Sequence, residues 1–331
     1  MNNNKPSGRM LLGSLALLVA VWGILGWFDL QQQATAGFTT DSKNRVTEVM
    51  TDSPAAEAGL QVGDRITSIG GFAASDSSSL ARLPRAKAGD TRQFIIERDD
   101  GEHEILVAYA ALPGSSLLHQ RCLVVLGFCF LLFPLMALFR NASDATRILL
   151  FMGIGLSLSV LDGPYTGDAS ARALAAAISS LFVMFGMAAT VHFLLEFPRR
   201  RSLLDKSWGK TGVYLPAFLL WLLLAWRLLF APPATELLNR FSGLFMGLVE
   251  GGYFLLALFL LLHNYSKSDR QQRKQLALNL MLWGTVLGLI PALIGMLAGA
   301  FSPGSHLPGQ DYYFMSLLLI PLSWAFAASR R

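Results

Sequence analysis

The chain has 331 residues, of which 53% are hydrophobic and only 15% are charged, and its formal net charge is +5. Soluble proteins carry about 25% charged residues. The composition therefore argues against a disordered chain, a disulfide scaffold and a nucleic-acid-binding protein, and it favours an integral membrane protein.

Eight apolar stretches approach the length of a membrane-spanning helix, which needs about 20 residues at 1.5 Å of rise each. They are 10–28, 122–139, 147–163, 173–195, 212–230, 241–263, 277–300 and 312–328. The third is the shortest and is interrupted by Asp162 and Gly163. The sequence thus predicts a bundle of about eight transmembrane helices.

The positive charges predict how these helices are oriented. With eight spans, 15 Lys and Arg residues fall on one side of the membrane and three, Arg172, Arg227 and Arg240, on the other. Because Lys and Arg are retained in cytoplasmic loops, both termini are predicted in the cytoplasm and residues 30–118 outside. Membrane lipids are expected to surround the helices, and the expected location is a bacterial inner membrane.

The first span has two interpretations. Ala34-Thr35-Ala36 resembles the small-residue cleavage site of a signal peptide. The apolar run of about 19 residues, however, exceeds the usual 7–15 of a signal peptide. We favour an uncleaved anchor helix, and cleavage would leave seven helices in the same orientation.

Charged residues concentrate in the window 41–104, which holds twelve acidic and eight basic side chains. Its pattern predicts a small α/β domain, with turn residues bounding short strands. Strands are predicted at 38–40, 45–49, 64–69, 91–98 and 102–109, and helices at 53–58 and 76–83. Ser53 is the expected N-cap of the first helix, with Pro54 at its first position.

The run RVTEVMTDSPAAEAGLQVGDRITSIGG, residues 45–71, is similar to the central signature of bacterial PDZ domains. This resemblance implies a domain over 37–110 that binds an extended peptide or a protein C-terminus as an added strand. The groove it implies is formed by Gly37, Phe38, Thr39 and Thr40 on one wall and by Leu80 and Leu83, on the helix 77–83, on the other. A PDZ fold used only as a spacer or docking surface is the alternative.

The whole layout also resembles the sensor half of PDZ-containing histidine kinases of the competence-pheromone type. Residues 192–198 are similar to the HF-x-x-x-FP helix ending of that group, and 320–327 to its last helix before the kinase. Those proteins continue into a phosphoacceptor helix and an ATP-binding domain, whereas this sequence stops at Arg331. The resemblance therefore implies either a truncated sensor or a receptor whose output lies in another protein.

The predicted fold class is a polytopic α-helical membrane bundle with one extracytoplasmic α/β PDZ domain. Its expected parts are an N-terminal tip and anchor (1–36), the PDZ domain (37–110), a linker (111–121) and a seven-helix bundle (122–331). The expected function is a membrane sensor of a two-component system, and the alternative is a non-signalling PDZ adaptor for an envelope protein or protease. A cytoplasmic signalling protein and a second copy of the chain remain open as further partners.

Catalytic motifs are missing from the sequence. An intramembrane metalloprotease needs H-E-x-x-H, which places two imidazoles and a general base on one helix face, and the sequence has none. It also has no G-x-S-G serine-protease motif and no P-loop. We therefore expect no enzyme activity, no metal and no organic cofactor.

Ionisable groups within apolar spans are candidate functional residues because charge is costly there. Glu250 lies near the centre of its span among Gly243, Gly247 and Gly251, whose G-x-x-x-G spacing predicts close helix packing. Glu250 is interpreted either as a packing hydrogen bond or as a switch or ligand contact. His192 and Glu196, four residues apart, are interpreted either as an ordinary helix pair or as a pair with a signalling role.

Overall fold

The computed structural model describes residues 6–41, 43–75, 80, 83–230, 235–301 and 309–331. The α-helices are α1 (Pro6–Leu30), α2 (Pro54–Glu57), α3 (Gly114–Arg140), α4 (Asp144–Leu158), α5 (Ala169–Glu196), α6 (Gly209–Phe230), α7 (Glu236–Lys267), α8 (Arg270–Gln275), α9 (Leu278–Phe301) and α10 (Leu319–Ser329). The strands are β1 (Ala34–Thr35), β2 (Phe38–Thr40), β3 (Val46–Val49), β4 (Arg65–Ile69), β5 (Phe72–Ala73), β6 (Thr91–Arg98), β7 (Gly101–Ala108) and β8 (Ala110–Ala111). Short 3₁₀ helices cover Ser202–Asp205 and Gln310–Leu318.

Residues 34–111 form a small antiparallel domain, here called the sheet domain. Its main sheet has the order β5-β4-β6-β7, and β2 pairs with β3 beside it. The core of the domain is built from apolar side chains of these strands, namely Val46, Ile66, Phe94, Ile96 and Val107. The five predicted strands are confirmed, each to within one residue. The predicted helix 76–83 falls mostly on residues outside those described.

The short helix α2 starts where the sequence predicts. The Ser53 hydroxyl accepts a hydrogen bond from the Ala56 N–H at 3.3 Å, and Pro54 follows it as the first helical residue. Proline fits there because the first N–H groups of a helix have no partner within the helix. The predicted cap is confirmed.

The remaining helices form a bundle. Among the described residues, seven helices are long and apolar enough to cross a membrane by length and composition. The predicted eighth, 147–163, is α4, which has 15 residues and is about 22 Å long at 1.5 Å per residue. Its helix ends at Leu158, so the predicted span is helical only in part.

The chain nevertheless returns through the bundle along α4. Helix α3 begins next to the sheet domain at Gly114, and the segment that follows α4 comes back to that domain, where the Tyr165 hydroxyl meets the backbone N–H of Arg85. A Cβ on Gly26 of α1 would meet the carbonyl of Asp162. Beyond Leu158, an irregular stretch packed on α1 thus continues the path of α4 back to the sheet domain.

Two other predicted segments contain helix that the sequence did not indicate. The expected linker 111–121 is helical from Gly114 onward, because α3 extends about two turns beyond its apolar part. There, His119 packs edge-on against Phe314, with ring centroids 4.8 Å apart. The predicted span 312–328 begins as the 3₁₀ helix Gln310–Leu318 and becomes α-helical only at Leu319.

The predicted packing of Gly243, Gly247 and Gly251 against another helix is not found among the residues that the structure describes. A Cβ built on any of the three would meet no atom within 4 Å. Close helix packing occurs instead between α4 and α5, where a Cβ on Gly155 would lie 2.6 Å from Cα of Gly186. Spacing of small residues indicates where a helix can be approached, but not whether another helix is there.

Candidate functional site

Strand β2 has one open edge. Among the described residues it pairs only with β3, in the register Phe38↔Val49. The Gly37 carbonyl accepts from Met50 N–H, and Asp41 N–H donates to Arg45, both at 2.9 Å and both toward β3. Since backbone groups alternate along a strand, the N–H and C=O groups of Phe38 and Thr40 point to the open edge. That edge can accept an additional strand.

The turn into β2 requires glycine. Gly37 has φ +81°, a conformation that other residues rarely adopt. A Cβ at this position would also overlap Cβ of Ser53. Helix α2 is held against the same turn, because Ala55 N–H donates to the Ala36 carbonyl at 2.9 Å. The Gly37 N–H is bound by the Thr35 hydroxyl at 3.0 Å, whereas the Phe38 N–H, on the open side of β2, has no hydrogen-bond partner among the described residues.

The other predicted groove residues are only partly brought together. Phe38 is half-buried and packs edge-on against Phe94, with ring centroids 5.8 Å apart. Thr39 and Thr40 are exposed on the same strand. Leu80 and Leu83 are both half-buried, and Leu83 Cδ1 would lie 3.2 Å from a Cβ on Gly70. The wall that carries the two leucines lies largely outside the described residues.

A buried ion pair fixes the loop that precedes β4. Asp64 is 4% exposed and receives Nε and Nη2 of Arg98 at 2.6 and 2.9 Å and the Gln61 N–H at 2.8 Å. Arg98 also donates to the Gly59 carbonyl at 2.6 Å. Burial by itself raises the pKa of Asp64, but the guanidinium and the N–H outweigh it and hold the pKa below its ordinary value. The Asp of the Gly-Asp pair in the sequence signature therefore has a structural role, because it holds this loop against Arg98.

One arginine joins the sheet domain to the bundle. The Arg85 guanidinium forms an ion pair with Asp29 at the end of α1. Its Cζ lies 5.3 Å from the ring centre of Tyr165, and Cζ of Arg172 lies 5.1 Å from the same ring. Strands β1 and β8, the two connections to the bundle, also pair with each other. We call this group of contacts the junction.

His192 and Glu196 interact with other residues, and no hydrogen bond or ion pair between the two is found among the described residues. His192 Nδ1 lies 3.0 Å from the Tyr214 hydroxyl of α6. Glu196 is 4% exposed and binds Arg331 Nη1 at 3.3 Å, with Arg200 at 3.6 Å. Each side chain therefore has a partner on another element or in the loop that follows α5.

The two segments that carried the sensor resemblance meet at the end of the bundle away from the sheet domain. The rings of Phe193 and Trp324 stack with centroids 5.3 Å apart. Asn264 of α7 donates to the carbonyls of Leu194 and Phe197 at 2.7 and 2.9 Å. Together with the contact between Glu196 and Arg331, these interactions form the far-end cluster.

Sequence reasoning missed the junction, the far-end cluster and a cavity beside Glu250. Arg85 and Arg331 looked like ordinary loop and terminal charges, because their partners are distant in the sequence. Among the described residues, no three His, Cys, Asp or Glu side chains come together as a metal site requires.

Comparisons with known proteins identify the sheet domain. Residues 45–98 match the family model of the PDZ domain. A zinc metalloprotease from Mesorhizobium japonicum is 46% identical over 57 residues, which are 17% of this chain and 16% of that protein. A DegP-like periplasmic serine endoprotease from Brucella suis is 31% identical over 99 residues, 28% of this chain and 19% of that protein.

Among solved structures, a variant of the HtrA-type protease AlgW with a decapeptide is 20% identical, with a TM-score of 0.22, and the match covers 25% of this chain and 30% of that one. This chain thus matches less than a third of each of these proteins. The family model and the sequence relatives support the PDZ domain and lend no support to the resemblance to histidine-kinase sensors. No protease catalytic domain is evident in this chain.

Proposed function

We propose that this protein is a membrane-anchored PDZ adaptor that binds the C-terminus of an envelope protein or protease and holds it at the membrane. The open edge of β2 carries this proposal, because an extended peptide can pair there with the outward groups of Phe38 and Thr40. The matched relatives are proteases by name, which favours a partner involved in protein quality control. The predicted site is Gly37, Phe38, Thr39 and Thr40, with Leu80 and Leu83 opposite.

We further propose that the bundle spans a bacterial inner membrane, with the PDZ domain outside and both termini in the cytoplasm. The alternation of basic loops supports this orientation, and the return of the chain along α4 supports an eighth crossing. An uncleaved α1 fits better than a signal peptide. Cleavage after Ala36 would detach β1 from the domain and remove the ion pair between Asp29 and Arg85.

Peptide binding to the full-length protein in lipid nanodiscs tests the adaptor function. The probes are a library of immobilised decapeptides with free C-termini and the same decapeptides with amidated C-termini. We expect selective binding of some free-acid peptides. Thr40→Pro should lower their affinity by about tenfold, because it removes an N–H at the open edge and loses about 1.4 kcal/mol. Phe38→Asp should abolish binding.

Two controls separate lost binding from lost folding. Val62→Asp places the same charge on a side chain that is 65% exposed and should leave binding unchanged. Hydrogen exchange of residues 45–98 should show the same protection in Thr40→Pro as in the wild type. Equal binding of free and amidated peptides, or unchanged affinity in a folded Thr40→Pro protein, would contradict the proposal.

The sensor function remains a second candidate, because the junction attaches the PDZ domain to one end of the bundle and the far-end cluster joins separate helices at the other end. In a sensor, a bound peptide must change the relative stability of two bundle states. Hydrogen exchange around 192–198 and 320–327, with and without a selected peptide, distinguishes the two functions. Altered exchange that Arg85→Ala abolishes supports a sensor, and unchanged exchange supports an adaptor.

A further inference from the structure

The middle of the bundle contains a cavity of about 230 Å³. Side chains of α3, α4, α5, α7, α9 and α10 line it, and ten of the fifteen lining residues have purely apolar side chains. For comparison, a cavity of about 150 Å³ in a protein core holds a benzene molecule. The cavity therefore has room for a small organic molecule of eight to ten non-hydrogen atoms, as an order-of-magnitude estimate.

The polar groups that line this cavity have partners within the protein, with one exception. Thr190 donates to the Gly186 carbonyl at 3.1 Å, and Thr285 donates to Met281 at 2.8 Å. Trp324 Nε1 donates to the Thr285 hydroxyl at 2.8 Å. The Tyr253 hydroxyl is bound to two backbone groups of α6.

The exception is Glu250. It is the fifteenth of the 32 residues of α7, halfway along the helix, and it is half-buried beside the cavity. None of the described residues forms a hydrogen bond or an ion pair with its carboxyl group. A carboxyl group without a partner in apolar surroundings is destabilising. An occupant that supplies the missing hydrogen bond would remove that cost.

We propose that this cavity binds a small lipophilic alcohol, with its hydroxyl group on the Glu250 carboxyl and its apolar body in the cavity. A hydroxyl group suits the site because it both donates and accepts, and so pairs with the carboxyl in either protonation state. The inference depends on the cavity alone and is independent of what the PDZ domain binds.

Photolabelling of the full-length protein in nanodiscs tests this proposal. The two probes are a six-carbon alcohol and the alkane of the same length, each carrying a diazirine, and labelled residues are located by peptide mass spectrometry. Labelling is scored on Met187 and Leu289, which line the cavity without carrying a carboxyl group. We expect the alcohol to label them about fivefold more than the alkane, the ratio that one net hydrogen bond of about 1 kcal/mol gives.

Variants of Glu250 and of the cavity wall complete the experiment. Glu250→Leu should reduce labelling by the alcohol to that of the alkane, whereas Glu250→Gln, which keeps a donor and an acceptor, should preserve the preference. Ala257→Phe should fill the cavity and remove labelling by both probes. Leu255→Phe, on the exposed face of α7, should change neither.

Equal labelling by both probes in the wild type, or a preference that survives Glu250→Leu, would overturn the proposal. So would strong cavity labelling in Ala257→Phe. A thermal unfolding midpoint for each variant shows that the protein is folded, and Glu250→Gln keeps the comparison valid if Glu250→Leu alone fails to fold.

Discussion

The sheet domain and the bundle treat buried carboxyl groups differently. In the sheet domain, Asp64 is buried and bound by Arg98 and by a backbone N–H, all within 3 Å. In the bundle, Glu196 is equally buried but its ion pairs are longer, at 3.3 and 3.6 Å. Glu250 has no partner among the described residues. The carboxyl groups thus form a series from fully bound to unbound.

This series separates structural residues from candidate functional ones. A buried charge that is fully bound holds its own surroundings together, and removing it is costly. A polar group left without a partner destabilises the isolated protein, so its presence points to a ligand or to a changing environment. On this basis Asp64 is structural and Glu250 is the better candidate for binding.

The largest effect is expected for Asp64, the carboxyl group with the most complete set of partners. Asp64→Ala should destabilise the PDZ domain by about 3 kcal/mol, because it leaves Arg98 and the Gln61 N–H without their partner. Hydrogen exchange of residues 45–98 should then become about a hundredfold faster. Asp100→Ala removes the contact between His103 Nε2 and an Asp100 side chain that is 72% exposed, and it should change exchange only slightly. Equal effects of the two substitutions would contradict the structural role of Asp64.

A second test compares two glycines in the bundle. Gly155→Ala should destabilise the protein by about 1–3 kcal/mol, since the new Cβ would overlap backbone atoms of α5. Gly247→Ala meets no atom within 4 Å and should stabilise α7 by up to about 1 kcal/mol through helix propensity. Thermal unfolding of both variants in one detergent measures the difference. A stabilising Gly155→Ala would show that α4 and α5 are not in close contact.

The glycines show how much of the helix packing could be predicted from the sequence. Strand lengths and the Ser53 cap in the sheet domain were predictable because they depend on residues close in the chain. In the bundle, apolar length predicts that a helix exists, but every helix surface is similarly apolar. Which face meets which neighbour depends on contacts between distant residues, and so the packing role of Gly155 and the partner of Glu196 were missed.

In the candidate site, too, some residues could be predicted from a local motif and others could not. Gly37 and the edge strand precede the recognised signature, so a local motif located them. The junction, the far-end cluster and the cavity beside Glu250 each combine residues more than 50 positions apart. No single motif encodes them.

A third test concerns a hydroxyl group inserted into a helix. Tyr253 donates to the Val213 carbonyl at 2.6 Å and accepts from Ala217 N–H at 3.1 Å, between groups of α6 that would otherwise bond to each other. Tyr253→Phe should destabilise the bundle by about 1–2 kcal/mol. Tyr265→Phe, whose hydroxyl has no hydrogen bond among the described residues, should have little effect on the unfolding midpoint. Equal midpoints for both variants would show that the inserted hydroxyl contributes nothing.

The mildest expected effect is the pH dependence of the Asp64 ion pair, because protonation leaves every atom in place. The pKa of Asp64 is lower in the folded domain than in the unfolded chain. Its contribution to the free energy of unfolding is therefore complete above the unfolded pKa and is lost as the pH falls through the folded pKa. Hydrogen exchange of residues 45–98, corrected for its intrinsic pH dependence, should accelerate below about pH 4, the ordinary pKa of aspartate. Asp64→Asn should flatten this acid dependence, and a variant that kept the wild-type slope would assign it to other carboxyl groups.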